Sequence, residues 1–126
     1  MIVVVSQAWT LDAGDHADAY IAGSQAFEEF LGRHPGYVGR RLLRSLADPT
    51  HFTNLRFFKA LSDYHELITW DGYRERIMAL GDHLKPADTY PREYMEVVLG
   101  DESLPGVARV DAPKRRRSAS TSTPTS

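Results

Sequence analysis

The sequence predicts an α+β domain over residues 1–100, with strands and helices in the order β-α-β-β-α-β, and a flexible, basic, Ser/Thr-rich tail over residues 101–126. Three observations predict it. Four stretches are β-branched, aromatic or alternating. Two longer stretches repeat their apolar residues at helical spacing. Turn chemistry separates them at His34-Pro35-Gly36 and at Asp48-Pro49-Thr50.

Ile2 to Trp9 opens with β-branched residues and then alternates through Ser6, Gln7 and Ala8, which reads as a strand. Asp12 or Asp15 supplies a helix N-cap. From Asp15 to Arg33, Ala17, Tyr20, Ile21, Phe27, Phe30 and Leu31 form one apolar face, with Glu28 and Glu29 off it. Pro35 disfavours helical geometry at His34, and Gly36 permits a tight turn. Tyr37–Ser45 and His51–Lys59 then read as an antiparallel hairpin. Period-2 geometry puts Phe52, Asn54, Arg56 and Phe58 on one face of the second strand, and His51, Thr53, Leu55 and Phe57 on the other. Leu61–Leu84 is helical, in two pieces broken near Asp71-Gly72, and Tyr90–Leu99 is the last strand.

Such an order gives a four-stranded antiparallel sheet with helices on one face. The other face needs a cover. Phe52, Phe58 and the remaining strand aromatics are too many to leave in water, so the expected cover is the same face of a second copy.

Composition narrows the chemistry. The chain has no cysteine, which removes disulfides, thiolate nucleophiles and Cys-ligated metal, and fits a cytoplasmic protein. No apolar run is long enough to span a bilayer, and the MIVVVSQAW start reads as a strand rather than a signal peptide, so no membrane partner is expected. Residues 1–100 carry 10 basic and 14 acidic side chains, whereas 101–126 carry 5 basic and 3 acidic. An acidic body argues against nucleic acid, which needs a basic face. The KRRR run of the tail reads as a solubilising terminus. The five histidines lie in different elements without ligand spacing, so no metal is expected.

Asn54 stands out, because an amide at the centre of an apolar strand is costly unless it is bonded. It is either a satisfied core amide or an N–H donor aimed at an oxyanion between Phe52 and Phe58. Arg56 shares its parity and either faces the same cavity or pairs with Glu93 or Glu96. Tyr64 opens the next helix, Trp70 is a packing residue or a pocket wall, and Arg76 lies beside the last apolar stripe.

The stretch His34–Tyr64, HPGYVGRRLLRSLADPTHFTNLRFFKALSDY, resembles the antibiotic biosynthesis monooxygenase (ABM) family. Its turn, strand, acidic-Pro turn, aromatic strand and helix opening follow that family's pattern, and the element order agrees from Met1 to about Leu99. The resemblance implies a ferredoxin-like fold assembled as a dimeric α/β barrel, hence a homodimer. It also implies a cofactor-independent monooxygenase, with O2 as co-substrate, that oxidises a small aromatic polyketide of anthrone type to a quinone. In that reading Asn54, Tyr64 and Arg76 are catalytic, and Phe52, Arg56, Phe58 and Trp70 bind substrate. Phe58 stands where anthrone-oxidising members have a tryptophan, which removes an indole donor. Haem-degrading members use three positions that here read Gln7, Leu67 and about Ile77. Haem and flavin stay open as cofactors. So do two other functions: a polyketide cyclase or isomerase, and a non-catalytic small-molecule-binding dimer.

Overall fold

The computed structural model describes residues 1–86 and 91–100. The elements are β1 (Ile2–Trp9), α1 (Asp15–Leu31), β2 (Tyr37–Arg44), β3 (His51–Phe58), α2 (Leu61–Leu67), α3 (Tyr73–Gly81) and β4 (Glu93–Glu96). All strand pairs are antiparallel, in the order β2-β3-β1-β4. This is the ferredoxin-like α+β arrangement expected from the sequence.

Local chemistry explains the boundaries. The N-cap of α1 is Gly14 rather than Asp12 or Asp15, but Asp12 accepts the backbone N–H groups of Gly14 and His16 at 3.0 Å each and so satisfies an amide of the first turn from outside the helix. The predicted break between α2 and α3 falls at Gly72, whose φ of 95° lies in the left-handed region that favours glycine. At the start of α2, Asp63 accepts the N–H of Ala60 at 3.0 Å. Gly23 of α1 has no side chain to hold off Leu80, which closes the contact between α1 and α3. The last strand is shorter than expected at both ends, Pro91 and Arg92 lying before it, and Val97 following it and donating to the carbonyl of Met1. Its expected first residue, Tyr90, and the tail over 101–126 lie outside the described residues.

One expectation is reversed. Phe52, Asn54, Arg56 and Phe58 are all buried, under the chain's own helices rather than on the sheet's outer face. On that side β1 presents the small residues Ser6 and Ala8 beside Asn54 and Phe52, leaving room for α1 to settle. Strand parity separates the two faces without saying which one the helices cover. The outer face is the alternate set. Val5, Leu55 and Phe57 are half-buried there, and Leu43 and Met95 are exposed.

Candidate functional site

The sheet's inner face and α1 form a seam whose ends differ in character. At the hairpin end Phe52 packs on Tyr20 of α1, ring centroids 5.2 Å apart. The next inner residue of β3 is Asn54, only 4% exposed and flanked by Ser6 and Leu42. Its side-chain carbonyl Oδ1 is buried with no hydrogen-bond partner among the described residues. A buried, unpaired amide oxygen costs about 1–3 kcal/mol. The position therefore keeps a polar valence at a loss to stability, as binding sites do.

Arg56 follows, 7% exposed, with its Nε also buried and unpaired. Its guanidinium lies over the Phe27 ring, 5.2 Å from the centroid, and not against Glu93 or Glu96. Two tyrosines feel its charge. Burial raises the Tyr20 hydroxyl above its ordinary pKa, and Arg56 works in the opposite direction. Tyr37 is raised further, by burial first and then by its bond to Glu28, to which it donates at 2.6 Å. The same Glu28 oxygen lies 3.2 Å from Arg40 Nε. Glu28, placed off the apolar face in the sequence reading, thus closes the edge of the seam.

A cavity of about 330 Å³ opens between α1 and the edge strand β2. Phe52, Leu42 and Ile21 give it an apolar floor, and Arg40, Arg41, Arg44 and Gln25 give it a polar rim. Asn54 lies one step behind this wall, next to Phe52 along β3 and opposite Leu42 across the sheet.

The other sequence candidates are spread around the helical layer. Tyr64 is buried at the far end of β3, its ring 5.5 Å from Phe58 and 5.8 Å from Tyr94. Burial pushes its hydroxyl up to about 12. From Asn54 to Phe58 is four residues, roughly 13 Å of strand, so Tyr64 and Asn54 serve different ends of the seam. Phe58 is buried between Tyr37 and Tyr64. Trp70 is half-buried at the α2–α3 corner, beside Phe30 and His34. Arg76 is exposed, with its guanidinium 4.3 Å from the Phe30 centroid and donating to the Gly72 carbonyl at 3.0 Å. The structure brings Asn54, Phe52 and Arg56 together and sets Tyr64, Trp70 and Arg76 apart from them.

Three features escaped the sequence reading. Tyr20 was placed in the core, yet its ring also lies tilted against Phe52, a residue of the cavity floor. The arginines of β2 gave no signal, because strand arginines are commonly solvent-facing. His34 is 2% exposed, accepts the Gly36 N–H on Nδ1 at 2.9 Å and donates from Nε2 to Glu66 at 2.6 Å. Its position before Pro35 was the only hint.

Among the described residues, no three His, Asp or Glu side chains converge as metal ligands. The residues also do not fit a haem. Gln7 lies on the outer face, bonded to His51 and Thr53. Leu67 offers no ligand, and His83 Nδ1 is engaged with His16 Nδ1 at 3.1 Å. No described helix is long and apolar enough to cross a membrane.

No protein-family model matches the chain, and no curated protein matches it. Solved structures do. A Nitrosomonas europaea protein provisionally described as an antibiotic biosynthesis monooxygenase is 22% identical, with a TM-score of 0.59 over 75% of this chain and 94% of its own. SnoaB from Streptomyces nogalater, a cofactor-independent oxygenase, is 17% identical, with a TM-score of 0.60 over 82% of this chain and 96% of its own. A protein from Bordetella bronchiseptica, again provisionally described as an antibiotic biosynthesis monooxygenase, is 15% identical, with a TM-score of 0.67 over 78% and 97%. The chain has the fold of the solved antibiotic biosynthesis monooxygenases.

Proposed function

We propose that the protein is a cofactor-independent monooxygenase for an electron-rich phenolic polycycle of anthrone type, acting as a homodimer. One observation carries the reading: a buried amide, Asn54, with its Oδ1 unpaired among the described residues, stands behind an aromatic-floored cavity. The shared fold with SnoaB supports the reaction class.

An anthrone, once deprotonated, donates an electron to O2 itself. The ring CH2 loses two hydrogens and gains a carbonyl oxygen, and the second oxygen atom leaves as water. The protein need only desolvate the ring and stabilise charge on the developing oxygen. Phe52 would hold the ring, the side-chain NH2 of Asn54 would donate to its developing oxygen, and Arg56 would supply positive charge nearby. Tyr20, kept protonated by burial, lies against Phe52 of the cavity floor and would donate. Tyr64 would hold its proton at the other end, against Phe58. Trp70 and Arg76 take no role in this reading. A second copy would cover Val5, Leu55, Phe57, Leu43 and Met95 on the outer face.

The test is to incubate the protein with emodin anthrone, following quinone formation and O2 uptake in air and under nitrogen, for the native chain and Asn54→Ala. Oxygen-dependent turnover that falls by roughly a hundredfold in the variant is expected. No turnover above the spontaneous rate overturns the oxygenase reading, and equal product without oxygen assigns a cyclase or isomerase instead.

A further inference from the structure

We infer that the cavity at the α1–β2 edge selects a carboxylate-bearing aromatic ligand, with Arg44 as the residue that engages the carboxylate. The inference rests on the cavity's being the substrate site. What it adds is the ligand's charge.

Charge bookkeeping along the hairpin points there. Arg40, Arg41 and Arg44 lie on β2, and Arg56 stands directly across from Arg40 in the β2–β3 register. Like charges opposite each other on one sheet face destabilise it unless an anion sits between or beside them. Glu28 is bonded to Arg40 and also accepts from Tyr37, so it is already engaged on both sides. Asp48, the acid at the hairpin tip, is turned onto Thr50, accepting its hydroxyl at 2.7 Å and its N–H at 3.0 Å. The body of the chain is acidic, yet among the described residues Glu28 is the one carboxylate ion-paired to any of these four arginines.

Two of these arginines carry unmet donors: Arg56 Nε and Arg41 Nη2 are buried with no partner among the described residues. Arg44 is exposed at the cavity mouth and lies over the Phe52 ring, 4.9 Å from its centroid. A guanidinium held over an aromatic ring at an open cavity mouth keeps N–H groups for a ligand in that cavity, and two parallel N–H groups match a carboxylate. The floor itself, Phe52, Leu42 and Ile21, is apolar and suits a ring rather than a small inorganic anion. The volume of about 330 Å³ is within the range of small-molecule sites.

The test uses rhein and aloe-emodin, dihydroxyanthraquinones that differ in a carboxylate against a hydroxymethyl group. Their affinities are measured by isothermal titration at pH 7.5 for the native protein, Arg44→Gln and Arg44→Lys, with inorganic phosphate as competitor. Rhein should bind the native chain roughly tenfold or more tighter than aloe-emodin, the gain of one charge-assisted contact. Arg44→Gln should remove that preference while leaving aloe-emodin nearly unchanged, and Arg44→Lys should restore only part of it, because an ammonium lacks the planar fork. Equal affinities in the native chain, or an undiminished preference in Arg44→Gln, overturns the inference. So does displacement of rhein by millimolar phosphate, which would mark a general anion site. Rhein preference without anthrone turnover would sink the oxygenase reading alone. Anthrone turnover without rhein preference would sink the carboxylate inference alone.

Discussion

Replacing Asn54 with leucine should make the protein more stable and less active. The perturbation exchanges a buried amide for an apolar side chain of similar volume. Asn54 Oδ1 is buried without a partner, which costs about 1–3 kcal/mol. Leucine removes that cost and adds apolar contact with Phe52 and Leu42. Its branched shape costs back about 1 kcal/mol in a packed seam. The net expectation is a gain of about 1 kcal/mol, which for a domain of this size raises Tm by roughly 4–8 °C. Anthrone oxidation should meanwhile fall about 10²–10³-fold, the usual loss for one donor to a developing oxyanion. The assay is thermal unfolding by circular dichroism at 222 nm, with both proteins at one concentration, paired with the O2-uptake measurement. A drop in Tm of several degrees would refute the reasoning, because it would make Asn54 a satisfied structural amide. Unchanged turnover would refute its place in the site.

Three further outcomes are expected. Phe57→Lys puts a charge at the centre of the outer face and should convert a dimer to a monomer by light scattering; an unchanged mass would mean that a second copy does not cover this face. Alkaline titration should reveal the buried phenols. Tyr20, Tyr37 and Tyr64 have hydroxyls raised in the fold, so the unfolded chain ionises first. Their contribution to stability should be intact below about pH 10 and decline as pH rises toward the folded values, with tyrosinate absorbance at 295 nm lagging until unfolding. His34→Phe strands the Gly36 N–H and should lower stability by about 1–3 kcal/mol in urea titration, with a change in Trp70 fluorescence because the two rings lie 5.0 Å apart.

Much of the fold was legible because its signals are local. The helix α1 follows its apolar stripe, the α2–α3 break sits at a glycine, and the hairpin follows from Asp48-Pro49-Thr50. Asn54 was legible for the same reason, an amide among apolar strand neighbours. What stayed hidden depends on contacts far apart in sequence. Tyr20 looks like any helical core aromatic until β3 places Phe52 under it. Arg44 looks like a solvated strand residue until a cavity opens beside it. Arg76 has the right spacing from the apolar stripe, yet its guanidinium folds back onto Phe30 and Gly72 within the helical layer. Spacing in sequence predicts which side of a helix a residue starts from, but a long side chain can still lie along the surface.

The edge of the seam shows how one irregularity can assemble a site. Strict alternation puts Tyr37 with Gly39 and Arg41, on the face opposite Arg40. The β2–β3 register shifts between Tyr37 and Gly39, so that Tyr37 pairs with Phe58 while Gly39 pairs with Phe57. A bulge of one residue at Val38 therefore turns Tyr37 to the inner face. There it packs on Phe58, 5.5 Å between centroids, and reaches Glu28 together with Arg40. Without the bulge Glu28 would hold Arg40 alone, and Phe58 would lose its cover at the strand end. The extra residue also leaves Arg40, Leu42 and Arg44 in step, so the cavity wall keeps its alternation while its anchor to α1 comes from the other phase. The outer face loses an aromatic and the inner face gains a phenol. One strand then presents the cavity wall on one side and a separate, more exposed face on the other.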